Sequence, residues 1–194
     1  MSYVSFIAVI ASRMAVIAAT IAVALISPAA SLALTLHYSV PGTTMPWVSS
    51  DNLNGHYRFG LGDGTAPIDV GLHLLHAHSG ETIVVKYVSG TVNAGSPWPN
   101  TDAAGDTSYP TNNHKNGAGR FPSFYMTPYP IYLCELVGTF TDRKGKIIGL
   151  PFAIGDGPAS FVVPAGASIV LLGVNDNKFS DNGGSWVISI SKQK

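Results

Sequence analysis

Between positions 174 and 184 the chain reads VNDNKFSDNGG. Asp176 and Asp181 bring carboxylates, Asn175, Asn177 and Asn182 bring amide carbonyls, and Ser180 brings a hydroxyl. All are hard oxygen donors, the kind that Ca2+ gathers, about six to eight of them at about 2.3–2.6 Å. Gly183 and Gly184 let the backbone turn sharply just after them. The pattern is not that of an EF-hand, because no glutamate closes it and no helix flanks it. Asn, Asp, Ser and Gly are also what ordinary turns use, so residue types alone leave a calcium loop and a plain Asn/Asp turn both open.

Other chemistry is less well supplied. His73, His76 and His78 lie close together, and His76 and His78 would share one face of a strand. No third ligand for zinc is placed beside them. Cys134 is the only cysteine, which excludes an intrachain disulfide, and its apolar setting reads as a small core filler rather than a reactive thiol. There is no G-x-S-x-G elbow, and the two glutamates, Glu81 and Glu135, both sit in strand contexts. Asp63, within GLGDGT, reads as a tight turn and not a phosphate loop, since no helix follows it. These features argue against an enzyme.

The elements around these residues are short β-branched and aromatic runs separated by Gly, Pro, Asn and Asp. The clearest predicted strands are 82–88, 131–137, 147–154, 168–174 and 185–191, with weaker ones at 34–40, 56–61, 72–76 and 160–163. The turn at 142–146 joins two of them as a hairpin. In the last strand Trp186, Ile188 and Ile190 alternate with serines, as one buried and one wet face require. About eight such strands predict an all-β, jelly-roll-like two-sheet sandwich. The proline- and Asn-rich stretch 89–129 predicts a long loop over one end, pinned by Trp98, Tyr109, Phe121, Phe124 and Tyr125. The metal-ligand candidates at 175–182 fall in the connection between two confident strands.

Residues 1–33 differ from the rest. Arg13, an apolar run at 14–26, Pro28 and the small residues up to Ala33 describe a secretory signal peptide, cut after Ala33 with Ser31 at the −3 position; the alternative is an uncleaved membrane anchor, its apolar run extended by residues 7–10. The expected organisation is therefore a leader at 1–33 and one β-sandwich domain at 34–194, secreted and free of the membrane after cleavage. The 194-residue chain balances 11 Lys and Arg against 11 Asp and Glu, without a basic stripe, so a nucleic-acid partner is not expected.

The C-terminal forty residues or so carry a resemblance. The turn FVVPAG at 161–166, the strand ending in Asn175-Asp176, the pair Asp181-Asn182 and the closing GSWVISI at 184–190 resemble the calcium-dependent galactophilic bacterial lectins, the PA-IL-like family. The segment 80–90 is similar as well. The resemblance implies a galactose-binding-domain-like sandwich in which loop-held Ca2+ meets two sugar hydroxyls. Carried over by position, it implies Asp176, Asp181 and Asn182 as side-chain ligands, a loop carbonyl at Ser180 (with Lys178 as the alternative), and a further carbonyl near Ala94. Asp176, Asp181 and Asn182 would also bond the sugar, with further contacts from the loop 96–114, Trp98 and His114 among them. Phe179 is an alternative to Trp98 for covering an apolar sugar face. The loop here is two residues shorter than in the galactophilic type, and Asp181 stands where that type has an amide, so fold and calcium carry over better than galactose does.

The expected function is thus a secreted, calcium-dependent carbohydrate-binding protein whose ligand is a galactose-type or other glycan. The alternative is a structural sandwich whose Ca2+ only stabilises its loops. Lectins of this kind gain avidity as homo-oligomers, although no segment here identifies an interface.

Overall fold

The computed structural model describes residues 34–52, 55–112 and 119–194; the expected leader at 1–33 lies outside them. Among the described residues ten strands form: β1 (Thr35–Pro41), β2 (Ile68–Gly71), β3 (Thr82–Asn93), β4 (Asp106–Pro110), β5 (Tyr132–Leu133), β6 (Leu136–Thr141), β7 (Ile147–Ala153), β8 (Ala159–Val162), β9 (Ile169–Val174) and β10 (Gly183–Lys192). Helical structure among the described residues is limited to short 3-10 turns. None of their helices is long and apolar enough to cross a membrane.

Eight strands build two antiparallel sheets, ordered β1-β10-β3-β8 and β2-β9-β6-β7, and β4-β5 forms a small third sheet. The chain passes from one large sheet to the other after β1, β2, β3, β7, β8 and β9, and only β6 and β7 are joined as a hairpin within one sheet. This order is that of a jelly roll, with β4 and β5 inserted between its third and fourth jelly-roll strands.

Side-chain alternation explains why the sheets close face to face. On β10, Trp186, Ile188 and Ile190 are fully buried, as are Ile83 and Val85 on β3 and Val170, Leu172 and Val174 on β9. Period-two burial on β10 and the first half of β3 gives that sheet one apolar face, while β9 is buried along nearly its whole length, and each large side chain so buried contributes about 1.5–3 kcal/mol. Between Val187 and Ile188 of β10 the pairing skips Val88, an extra residue on β3 that shifts the register. The β6–β7 turn is closed by Asp142, whose Oδ1 accepts the Lys144 and Lys146 N–H groups at 2.8 and 3.0 Å.

Several expected strands differ. Segment 131–137 is not one strand: Cys134 takes φ +57°, in the left-handed region, and the chain bends between β5 and β6. Segment 72–76 is a 3-10 turn (Leu72–Leu75) ended by His76 at φ +51°, so His76 and His78 do not share a strand face. Its neighbour 68–71 forms β2 instead. Segment 56–61 is a loop, and the stretch 89–129 contains the end of β3 and all of β4.

Candidate functional site

The β9–β10 connection starts from a rigid base. Asn175 is fully buried, and every polar atom of its side chain is used: Oδ1 accepts the Ser123 N–H at 3.0 Å, and Nδ2 donates to Thr111 Oγ1 at 2.7 Å and to the Tyr132 carbonyl at 2.6 Å. Its backbone exchanges hydrogen bonds with Cys134 and Glu135. Asn175 is therefore a frame residue and not one of the free oxygen donors that its type suggested. Phe179 is likewise fully buried, packed against Phe59 at 5.6 Å, and cannot cover a sugar.

The middle of the loop is clamped from a distance. Asp63 Oδ1 accepts the Phe179 N–H at 2.9 Å, and Oδ2 accepts the Ser180 hydroxyl at 2.6 Å. Burial tends to raise the Asp63 carboxyl, but these hydrogen bonds outweigh it and hold the group below the ordinary aspartate value. Sequence reasoning took Asp63 for a turn residue only. Its one signal was a carboxylate flanked by glycines, of which Gly64 lets the backbone pass close to Phe179.

Asp176 stands at the loop's entrance. Its Oδ1 accepts the Asn177 and Lys178 N–H groups at 2.6 and 3.3 Å. Among the described residues its Oδ2 is buried without a hydrogen-bond partner, and so is Oδ1 of Asn182. The Asn182 amide lies near enough to influence Asp176, but its Nδ2 donates to the Gly42 carbonyl at 2.9 Å. Burial pushes the Asp176 carboxyl up to about 6, against the pull of the Asn177 and Asn182 groups. Two buried oxygens without donors are costly, each on the order of 1–3 kcal/mol, and either an ordered water or a bound cation would satisfy them.

Ala94, Trp98, Asp176 and Asp181 line one cavity of about 450 Å³, together with Tyr109, Arg120, Phe121, Leu133, Asn177 and Lys178. The register explains the meeting: Gly183 of β10 pairs with Asn93 of β3, so Ala94 follows β3 exactly where Asn182 precedes β10. Gly95, at φ +79°, passes so close to Asp181 that a Cβ there would sit 3.0 Å from the Asp181 carbonyl. Trp98 and Tyr109 meet edge to face at 5.1 Å and form an aromatic side of the cavity, with Trp98 part-exposed. Asp181 is exposed and paired to the Lys178 ammonium at 2.8 Å. Ser180 is not in the cavity wall, its hydroxyl being spent on Asp63. His114 lies outside the described residues.

The donor set suits a hard cation. No three of the described His, Cys, Asp and Glu side chains gather around one point, so a cation here would draw on Asp176 and Asp181 carboxylates, the Asn182 amide oxygen and backbone carbonyls. That oxygen mixture is what Ca2+ accepts, and it offers nothing to a soft metal.

No family model and no curated protein matches the chain. Among solved structures, the EclA N-terminal domain, a PllA-like lectin, is similar with a TM-score of 0.42 and 14% identity, over 81% of this chain and 95% of that chain.

Proposed function

We propose that this is a secreted, calcium-dependent carbohydrate-binding protein of lectin type, with its glycan site in the cavity at the β9–β10 loop. The observation that carries the reading is the pair of buried oxygens without donors, Asp176 Oδ2 and Asn182 Oδ1, beside the cavity that Asp176 lines together with Asp181 and Ala94. Asp176, Asp181 and Asn182 would hold the ion through side chains, with carbonyls from Ala94 and from the loop at Ser180 or Lys178. When bound, Ca2+ supplies open coordination positions that take vicinal sugar hydroxyls in place of water. The protein's own part is threefold. Asp63 and Asn175 fix the loop before ligand arrives, which lowers the ordering cost of binding. Asp181 can accept charge-assisted hydrogen bonds from sugar hydroxyls. Trp98 and Tyr109 offer an apolar wall to the C–H face of a pyranose ring. Galactose-type sugars are the first class to test.

The test is thermal melting of the full-length chain with calcium and with chelator, for the wild type and for D176N/D181N, followed by a glycan array under the same two conditions. The expected result is a calcium-dependent rise in Tm in the wild type alone, with chelator-sensitive retention on glycans. A rise without glycan retention would make the ion a structural clamp. No rise at all would remove the mechanism.

A further inference from the structure

A second cavity adjoins the first, and its chemistry is different. It has a volume of about 540 Å³ and is lined by Arg58, Arg120 and Lys178, with Leu61 and Asn177 at its edges and no carboxylate in its wall. Arg120, Asn177 and Lys178 belong to both cavities, so the two adjoin. In a chain with only 11 Lys and Arg, three converging on one hollow is a concentration of charge. Neither guanidinium has an ion-pair partner among the described residues.

The backbone ties together the segments that carry these cations. Gly60 donates its N–H to the Arg120 carbonyl at 2.7 Å, and Leu61 donates to the Asn177 carbonyl at 3.0 Å. The Tyr125 hydroxyl donates to the Arg58 carbonyl at 2.8 Å. Three segments far apart in sequence, carrying Arg58, Arg120 and Lys178, are thereby tied side by side. Gly60 sits at φ +44°, where a Cβ would run into the Asn177 carbonyl, so the close approach depends on glycine. Guanidiniums without ion-pair partners, carried on segments tied side by side, favour carboxylate and sulfate groups, which they can grip with paired N–H donors.

Resting on the carbohydrate-binding reading above, we propose that this second cavity is an anion subsite that takes the carboxylate or sulfate of an acidic sugar unit. The neighbouring residue of the same glycan would occupy the cavity at Asp176 and Asp181. Lys178 stands between the two, its ammonium on Asp181 at 2.8 Å. A cation bound by Asp181 would compete with that pair and free the ammonium for the anion.

The experiment compares oligogalacturonate, sulfated galactose oligomers and neutral galactose oligomers by calorimetry in calcium, with the wild type and R58Q/R120Q. Both guanidiniums belong to exposed residues, so the double variant is expected to melt with the wild type. The expected result is that at least one acidic class binds about tenfold or more tighter than the neutral one, the worth of one charge-assisted hydrogen bond. The preference should shrink as salt rises from about 0.05 to about 0.5 M and vanish in R58Q/R120Q, while R58Q alone, at a residue that lines only the second cavity, should weaken it and keep neutral binding intact. Which acidic class gains tells carboxylate from sulfate. Equal binding of acidic and neutral sugars, or a preference that survives the double substitution, overturns the subsite while leaving the lectin reading standing. If no sugar binds in calcium, the lectin reading fails. The subsite is then judged by titrating galacturonate and inorganic sulfate into the 15N-labelled chain in chelator. Saturable shifts of the Arg58 and Arg120 Nε–H signals support it, and unmoved signals overturn it.

Discussion

Asp63 and Ser180, 117 positions apart, share one of the shortest hydrogen bonds of the loop region, with the Ser180 hydroxyl donating to Asp63 Oδ2 at 2.6 Å. The same carboxylate accepts the Phe179 N–H, so one side chain holds two successive residues of the β9–β10 loop. Replacing Asp63 with Ala removes both bonds, and because the site is exposed the expected loss is about 1–2 kcal/mol. The larger effect should fall on calcium, since a loosened loop must be ordered when the ion binds. Melting curves with and without calcium check this. D63A should show a smaller calcium-induced rise than S180A, which gives up only the hydroxyl bond.

Lys178 and Asp181 form an exposed pair at 2.8 Å, and Asp181 in turn raises the Lys178 ammonium above the ordinary lysine value. Exposed pairs add little to stability, so K178M should leave the calcium-free Tm nearly unchanged. Because the ammonium competes for the carboxylate, the variant should bind calcium more tightly. Titration calorimetry in low salt measures this directly, and weaker binding in K178M would show that Lys178 helps to organise the loop.

Gly60 and Gly62 make a matched comparison. Both have positive φ, but a Cβ at Gly60 would strike the Asn177 carbonyl, whereas at Gly62 it would meet nothing within 4 Å. G62A should cost only left-handed strain, about 1–2 kcal/mol. G60A should cost that plus the displacement of two backbone hydrogen bonds, and should lower Tm by clearly more. Chemical denaturation of the two variants separates the terms.

Glu135 predicts a pH dependence. It is buried, its Oε2 accepts the Tyr132 N–H at 2.8 Å, and burial pushes its carboxyl up to about 7 from the ordinary 4.5. A raised carboxyl binds its proton more tightly folded than unfolded. The stability it contributes is therefore full below about 4.5 and is lost as pH rises to about 7, an upper bound of about 3 kcal/mol. E135Q keeps an acceptor for the Tyr132 N–H without a charge. Its Tm should fall less than that of the wild type between pH 5 and pH 8, by several degrees. Asp176, raised to about 6, slopes the same way and leaves a residual fall.

The closing strand was legible because Trp186, Ile188 and Ile190 repeat at a period that only a strand buries on one side. The jelly-roll-like sandwich followed from the number and spacing of such runs. Segment 72–76 misled because its leucines are buried equally well by a 3-10 turn; Leu72 and Leu75 are both in the core. Strand β4 was hidden because DTSYP lacks apolar alternation and pairs with only two residues, Tyr132 and Leu133. At the site, the loop carboxylates were visible as a local pattern. The roles of Asp63, Arg58 and Arg120 were not, because each depends on segments brought together across half the chain.

Cys134 sits where the chain kinks out of strand geometry, 1% exposed, its N–H given to the Asn175 carbonyl at 2.9 Å. Burial and the nearby aspartates push its thiol far above the usual cysteine range. The chain therefore carries one silent sulfhydryl at the root of its candidate ligand loop. A thiol-reactive dye added to the native protein would find it only when that root opens. The rate of labelling becomes a clock for local opening, and a cation that tightens the loop should slow it.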